Sequence, residues 1–234
     1  MNRLHLEIVR QSTREPLVLD PRRMINAGYV GRDQATVRQH IEELQREGVA
    51  PPPSIPVLFP MFCAHVTTAS RIETVERRTS GEAEFVLIVH NNRLLVGIGS
   101  DHTDRALEAL DMLKSKQACP NILGESVWDF EDVRAHWDRL ELKSWVRASP
   151  TDDWSLYQDS ALATILAPEQ ILELVRSRVV DHVLEDTIIF SGTVPVHGGT
   201  VIYGSTFRCA LVDPVLQRSL ECTYDIVHLE YLQP

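Results

Sequence analysis

The sequence predicts a β-rich α+β domain. Strand-like segments dominate the chain after the prolines at residues 51–53, and helical segments interrupt them without the regular alternation of a doubly wound parallel sheet. Hydrophobic residues make up 44% and charged residues 24% of the chain, which is typical of a globular protein. We therefore expect the 234 residues to form a single domain, residues 1–234, in which residues 1–50 are an N-terminal strand-and-helix arm.

The first predicted helix lies in this arm, at residues 33–47. Val37, Ile41 and Leu44 recur at the spacing of one apolar helix face, and Asp33 is suited to cap the helix start. The same kinds of pattern predict three further helices, at residues 103–114, 130–136 and 168–179.

Most of the other patterned segments of the sequence are predicted to be strands. Asn91 and Asn92 separate two β-rich segments and predict a hairpin turn between them. The wholly apolar run at residues 85–89 has no polar face, so we expect it to be buried on both sides. The predicted strands are Val57–Phe59, Glu84–Val89, Leu94–Ile98, Leu140–Val146, Thr187–Ser191, Thr206–Val212 and Cys222–Leu229.

The overall charge excludes some classes of function. Lys and Arg total 23 and Asp and Glu total 33, so the net charge is −10, which disfavours a general nucleic-acid binder or an anionic membrane surface as partner. The sequence has no apolar run of about 18 residues, and its beginning is not typical of a signal peptide. Its four cysteines form no CxxC pair, which indicates free thiols and a cytoplasmic protein.

Three carboxylates flank the predicted hairpin. Glu82 and Glu84 are two residues apart, so both side chains leave the same face of a strand. The hairpin would return Asp101 close to Glu82, and such an oxygen-rich cluster suits Mg²⁺ or Mn²⁺, with Ca²⁺ as an alternative. The competing interpretation is a solvated strand end, in which Asp101 or Thr103 caps the next helix.

Other candidate residues lie in two helices and one loop. His40 and Glu43 share a helix face and could form a general base, although a solvated helix surface has the same pattern. Lys114 and Lys116 could balance negative charge on a substrate, or merely complement the helix dipole. The glycine-bearing loop at residues 190–195 could present backbone amides to a ligand or form an ordinary turn.

The order of these segments resembles the fumarylacetoacetate hydrolase superfamily. The resemblance covers about residues 25–200 and includes the stretches 140–146, 157–159 and 184–190. The segments similar to that family's motifs are, in order, His40–Glu43, Pro56–Pro60, Glu82–Glu84, Ser100–Asp101, Lys114–Pro120 and Gly192–Pro195.

The resemblance implies a mixed β-sandwich roll of that family's C-terminal-domain type, usually a homodimer. It implies a metal-dependent hydrolase that cleaves a C–C bond in a 1,3-dicarbonyl or acylpyruvate-like 2-oxo acid, a small-molecule substrate. The alternative that it leaves open is a 2-oxo-acid decarboxylase, isomerase or hydratase acting through a metal-bound enolate. A third hypothesis is a binding protein that kept the fold and lost catalysis, and the complete carboxylate set argues against it.

The resemblance also assigns roles to individual residues. The residues implied are Glu82, Glu84 and Asp101 as Mg²⁺ or Mn²⁺ ligands, His40 and Glu43 as a water-activating dyad on a lid within residues 1–50, Lys114 or Lys116 as the stabilising charge, and Gly192, Thr193 and Gln158 at the substrate.

Departures from the family pattern concern the substrate side. The Asn-Tyr expected before the His40 motif is replaced by Thr36 and Val37, so we expect Arg32 to bind a substrate carboxylate instead. Asp101 follows Glu84 by 101 − 84 = 17 residues, which is shorter than usual in the family. The metal site is therefore predicted more firmly than the substrate.

Overall fold

The computed structural model describes residues 3–46, 51–52 and 54–232; the side chains of residues 40, 43, 44 and 46 are also outside the described set. Strands form most of the ordered backbone. In chain order they are β1 (Leu4–Val9), β2 (Arg14–Leu19), β3 (Arg23–Gly28), β4 (Val57–Met61), β5 (Val66–Thr67), β6 (Arg71–Thr74), β7 (Thr79–Ser80), β8 (Ala83–His90), β9 (Arg93–Asp101), β10 (Thr103–Asp104), β11 (Asn121–Leu123), β12 (Ser126–Asp129), β13 (Glu141–Arg147), β14 (Ser155–Ala161), β15 (Thr187–Phe190), β16 (Thr206–Asp213) and β17 (Arg218–His228). The α-helices are α1 (Gln34–Arg46), α2 (Arg105–Glu108), α3 (Met112–Gln117) and α4 (Pro168–Arg178).

Two large mixed sheets organise these strands. The larger follows the order β2-β1-β12-β9-β8-β15-β3-β4, with β11 beside β9 and β5 beside β11. The smaller follows the order β14-β13-β16-β17-β6, and β10 and β7 form a separate short pair. Most neighbours are antiparallel, while β1–β12, β11–β5, β15–β3 and β17–β6 are parallel. The predicted β-rich α+β class is confirmed.

Strand β8 has apolar cores on both of its faces. Phe85 and Leu87 point into the core that the two sheets share, where Leu142 and Phe207 of the smaller sheet also lie. The alternate residues of β8 enter a second core with side chains from both margins of the larger sheet, which therefore curls around them. The expected two-sided burial of residues 85–89 is confirmed for Phe85 to Ile88, which have no exposed surface.

The hairpin of β8 and β9 brings its two ends into register. Asn91 and Asn92 form the turn with φ angles of 51° and 56°, the left-handed conformation that asparagine tolerates and tight hairpins require. Ala83 pairs with Ser100, and the amide of Asp101 donates to the carbonyl of Glu82 at 3.0 Å. The predicted return of Asp101 to Glu82 is confirmed.

The helix predicted at residues 103–114 is wrong as a continuous element. Residues 103–104 are strand β10, and the helices α2 and α3 follow separately. Asp104, not Asp101 or Thr103, caps α2, because its carboxylate accepts the amides of Ala106 and Leu107 at 2.9 Å. Each short helix has its own aspartate cap, with Asp111 capping α3.

Other differences follow from local chemistry. Residues 130–132 and 134–139 form 3₁₀ turns in place of the predicted helix at 130–136. The N-terminal segment supplies three strands of the larger sheet, and β2 tolerates Pro16 because it lies at the sheet edge. Helix α1 begins as predicted, with Asp33 accepting the amides of residues 35 and 36. None of the described helices is long and apolar enough to cross a membrane.

Candidate active site

Three carboxylates converge where β8 begins and β9 ends. One oxygen from each of Glu82, Glu84 and Asp101 lies within 4.8 Å of the other two. Glu84 is 1% exposed and Asp101 is fully buried. The hairpin register produces this convergence, because it sets the last residue of β9 beside the residue that precedes β8.

Two cations hold the cluster from the side of α2 and α3. The ammonium of Lys116 lies 3.3 Å from Oε2 of Glu82 and forms a shorter ion pair with Asp101. The guanidinium of Arg105 lies 3.1 Å from Oε1 of Glu82 and 2.8 Å from Glu108. Five charged side chains thus form one connected, largely buried network.

The surrounding charges shift the pKa values of the three acids in different directions. Burial opposes ionisation of Glu82, but Arg105 and Lys116 outweigh it and lower its pKa to about 2. Burial and the charge of Asp101 raise the pKa of Glu84 well above its usual value, and burial also raises the pKa of Asp101. Burial lowers the pKa of Lys116, but the attraction of Asp101 and Glu82 is greater and raises it overall. The centre attracts positive charge strongly.

The donor set fits a divalent cation. Oδ1 of Asp101 is buried and has no hydrogen-bond partner, although a buried carboxylate oxygen normally has one. Glu82 and Glu84 provide further oxygens within reach, and carboxylate oxygens are the ligands that Mg²⁺ and Mn²⁺ prefer.

The glycine loop after β15 supports this cluster. The amide of Gly192 donates to Oε2 of Glu84 at 2.9 Å, and Gly192 has a φ of 86°. The hydroxyl of Thr193 donates to the carbonyl of Ala83 at 2.8 Å. Gln158, buried in β14, accepts the amide of Ala83 and donates to Thr193 and to the carbonyl of Val194. Gln158 therefore fixes the loop from behind.

A second polar network joins the hairpin to the smaller sheet. The hydroxyl of Tyr224, in β17, lies 2.9 Å from Oγ of Ser100 and 2.9 Å from Nδ1 of His102. Ser100 in turn accepts the amide of Glu82 at 3.1 Å. Burial lowers the pKa of His102 to about 3, so this histidine is neutral. The network anchors the backbone on both sides of the carboxylate cluster.

The cluster opens into a cavity of about 1540 Å³. Glu82, Glu84, Arg105 and Lys116 lie on its wall beside Gly192 and Thr193. Helix α1 borders it through residues 36, 37 and 39, and residues 163–165 border it after β14. A buried charged cluster at the wall of a large cavity is the usual setting of a small-molecule site.

The predicted residues differ in their relation to the cavity. His40 and Glu43 lie on α1, which borders the cavity, but their side chains are outside the described residues. Lys116 reaches the carboxylates, whereas Lys114 is exposed on the surface and pairs with Asp111 at 2.9 Å. Arg32 lies on the cavity wall, and Gln158 lies behind it.

Sequence patterns missed Arg105 and Tyr224. Arg105 lies close to Asp101 in the sequence, but the helix predicted at residues 103–114 gave no reason to place its side chain beside Glu82. Tyr224 is 122 residues from His102, so no local pattern connects the two.

A second group of possible ligands lies at the opposite end of the hairpin. His90, Glu185 and Asp186 also place one ligand atom each within 4.8 Å of the other two. Nδ1 of His90 lies 2.6 Å from Asp186, and Glu185 accepts the backbone amide of Asn91. These contacts fasten the turn to the segment before β15.

Comparison with known proteins identifies similar folds. 5-Carboxymethyl-2-hydroxymuconate delta-isomerase from Mycobacterium smegmatis is 15% identical, with a TM-score of 0.62, over 93% of this chain and 84% of that protein. 2-Hydroxyhepta-2,4-diene-1,7-dioate isomerase from Mycobacterium marinum is 14% identical, with a TM-score of 0.62, over 95% of this chain and 83% of that protein.

A third similar structure is a dehydratase. It is 2-keto-3-deoxy-D-arabinonate dehydratase complexed with magnesium and 2,5-dioxopentanoate, 15% identical with a TM-score of 0.62 over 91% of this chain and 76% of that protein. These proteins are enzymes of the fumarylacetoacetate hydrolase superfamily, so the predicted fold resemblance is confirmed.

Sequence comparison gives one family. Residues 27–224 match a family described as a protein of unknown function, DUF2848. A comparison with curated proteins found no match.

Proposed function

The chain belongs to the DUF2848 family, and from its fold and carboxylate cluster we propose that it is a divalent-metal-dependent enzyme acting on 2-oxo acids. The observation that carries this proposal is the convergence of Glu82, Glu84 and Asp101, a largely buried set of carboxylates of which Glu82 and Glu84 line a large cavity. Glu82, Glu84 and Asp101 would hold Mg²⁺ or Mn²⁺, with Ca²⁺ as the alternative. When bound, this cation would polarise the oxygens of a 2-oxo acid.

The proposed reaction is hydrolytic cleavage of a C–C bond in a 1,3-dicarbonyl or acylpyruvate-like substrate. Lys116 and Arg105 supply fixed positive charge beside the cluster, where negative charge develops during such a cleavage. Gly192 and Thr193 lie on the adjoining wall, where the substrate carboxylate is proposed to bind.

Hydrolysis also needs a group that takes a proton from water. We assign this role to His40, oriented by Glu43, because both belong to helix α1 and residues of α1 line the cavity. This assignment predicts that both residues are necessary for hydrolysis.

A second candidate is isomerisation, hydration or dehydration, or decarboxylation of a 2-oxo acid. The names of the similar structures, two isomerases and a dehydratase, favour it. It uses the same carboxylates and cations, and its metal-assisted decarboxylation would not require hydroxide formed by His40.

An activity screen tests the proposal. Purified protein would be assayed against acylpyruvates, oxaloacetate and fumarylacetoacetate analogues, with and without Mn²⁺. We expect metal-dependent turnover of at least one 2-oxo acid; its absence from the whole set would contradict the proposal. Loss of C–C bond hydrolysis in His40→Ala supports the first candidate, whereas retained metal-dependent decarboxylation in this variant supports the second.

Two further expectations concern the whole protein. The resemblance predicts a homodimer, which light scattering of the purified protein would test. A cytoplasmic location stays a prediction from cysteine usage and composition, and cell fractionation would test it.

A further inference from the structure

The cavity wall away from the carboxylate cluster is mostly apolar. Val30, Phe59, Ala163, Ile165 and Val194 contribute to it, and they come from four separate segments of the chain. An ionised group placed against such a surface loses hydration without compensation.

Among the described residues of this part of the wall, Arg32 is the cation, and it already forms an ion pair. Its two terminal nitrogens donate to the two carboxylate oxygens of Asp138 at 2.9 and 2.7 Å. Its Nε donates to the carbonyl of Ile165 at 3.1 Å. This bidentate pair occupies the edge of the guanidinium formed by its two terminal nitrogens, which is the edge a ligand carboxylate would bind, and offsets its charge.

The other charged residues of the described lining do not provide a free cation. Asp33 is negative and caps α1, and Asp159 lies 3.5 Å from Lys143. Arg105 and Lys116 are committed to the carboxylate cluster. Among the described lining residues, the wall beyond the cluster is therefore neutral to negative.

Building on the proposed function, we propose that the substrate is a 2-oxo acid with one carboxylate, next to its oxo group, and an uncharged apolar tail. The tail lies against the wall formed by Val30, Ile165 and Val194. Asp138 determines this specificity, because it neutralises Arg32 and so removes the partner that a second carboxylate would need.

Calorimetry with two ligands of equal chain length tests this specificity. 2-Oxohexanoate carries one carboxylate, and 2-oxohexanedioate carries a second at the far end of the same chain. For the Mg²⁺-loaded wild-type protein we expect the monocarboxylate to bind at least about tenfold more tightly. Equal or tighter binding of the dicarboxylate would overturn the inference and leave the proposed function standing.

Asp138→Asn frees Arg32 and provides the decisive variant. We expect it to increase the affinity for 2-oxohexanedioate at least about fivefold while leaving that for 2-oxohexanoate unchanged. Adding Arg32→Gln should remove the gain. Asp132→Asn is the matched control, since it removes one negative charge from a side chain that faces Arg218 instead.

The outcomes distinguish a failure of the proposed specificity from a failure of the proposed function. An unchanged ligand preference in Asp138→Asn, or the same gain in Asp132→Asn, would overturn the specificity role of Asp138. If neither ligand binds to the Mg²⁺-loaded protein, the proposed function fails and the inference fails with it.

Discussion

The two ends of the β8–β9 hairpin carry similar residues in different physical settings. At the turn end, His90, Glu185 and Asp186 are partly exposed, and their polar atoms bind one another and the backbone of the turn. At the other end, Glu84 and Asp101 are buried, and one oxygen of Asp101 has no partner. Both groups satisfy the same 4.8 Å proximity.

The difference shows what distinguishes a candidate ligand set from a structural cluster. The carboxylates that hold the turn already accept hydrogen bonds, and water can solvate their charge. Carboxylates that face a cavity, are buried and exceed their local cations keep a binding capacity. The variants below compare the site end of the hairpin, and the groups that support it, with positions away from the site.

The largest expected effect is on metal binding at the site end. Glu82→Gln combined with Glu84→Gln should weaken Mg²⁺ binding by more than about 100-fold, since loss of outer-shell partners alone costs up to that much. Calorimetry of the purified protein measures this. Glu185→Gln combined with Asp186→Asn, at the turn end, should leave the Mg²⁺ affinity unchanged; the opposite pattern would move the metal site to the turn.

Lys116 and Lys114 provide the second comparison. Lys116→Met should lower the free energy of unfolding of the metal-free protein by about 3–5 kcal/mol, because Asp101 would remain buried without its cation while Glu82 keeps only Arg105. Urea denaturation with and without Mg²⁺ measures this, and Mg²⁺ should restore part of the loss. Lys114→Met, on the exposed side of α3, should change it by less than about 0.5 kcal/mol. Equal effects of the two substitutions would mean that the buried ion pairs of Lys116 contribute no more to stability than the exposed ion pair of Lys114.

Gly192 and Gly198 both have a positive φ, but only Gly192 contacts the carboxylate cluster, so substituting each in turn compares loss of support for the site with backbone strain alone. In Gly192→Ala the new Cβ would lie 2.6 Å from Val30 and 2.9 Å from the carbonyl of Ala27. We expect a loss of about 2–4 kcal/mol from strain and overlap together, with weaker Mg²⁺ binding, since the amide of Gly192 holds Glu84. Gly198→Ala has open space around it and should cost about 1–2 kcal/mol with unchanged binding. Denaturation and Mg²⁺ titration of both variants measure these effects. Equal Mg²⁺ affinity in the two variants would contradict the prediction.

The smallest expected effect is at the turn. Asn92→Ala keeps a side chain at φ 56° without the local hydrogen bonding of asparagine, so we expect a loss of about 1 kcal/mol in the free energy of unfolding. Mg²⁺ affinity should be unchanged, because eight residue pairs of the hairpin separate the turn from the cluster. A clear change in affinity would indicate that the two ends are coupled.

Local chemistry explains which parts of the molecule could be predicted from the sequence. The hairpin followed from Asn91, Asn92 and an apolar run, and its geometry alone placed Asp101 beside Glu82. The cap of α2 could not be predicted in the same way. Residues 103–104 pair with β7 as strand β10, so the helix begins only at Arg105 and its cap is Asp104.

The choice between Lys114 and Lys116 also depends on tertiary structure. Two residues apart on a helix, their side chains leave nearly opposite faces, and the packing of α3 decides which one meets the carboxylates. The pairing of Arg32 with Asp138 joins residues 106 positions apart. The sequence therefore predicted that Arg32 binds a substrate carboxylate, and no local pattern indicated that Asp138 already pairs with its guanidinium.

Tyr224 has a consequence for how the centre communicates with its surroundings. Its hydroxyl joins Ser100 and His102 to the smaller sheet, and all three side chains are buried. These three side chains do not line the cavity, whose wall is formed by other residues of the hairpin and its neighbours. Among the described residues, the cavity bordered by helix α1 is the approach to the carboxylates, so substrate, product and solvent would share it and their order of arrival and departure would be linked.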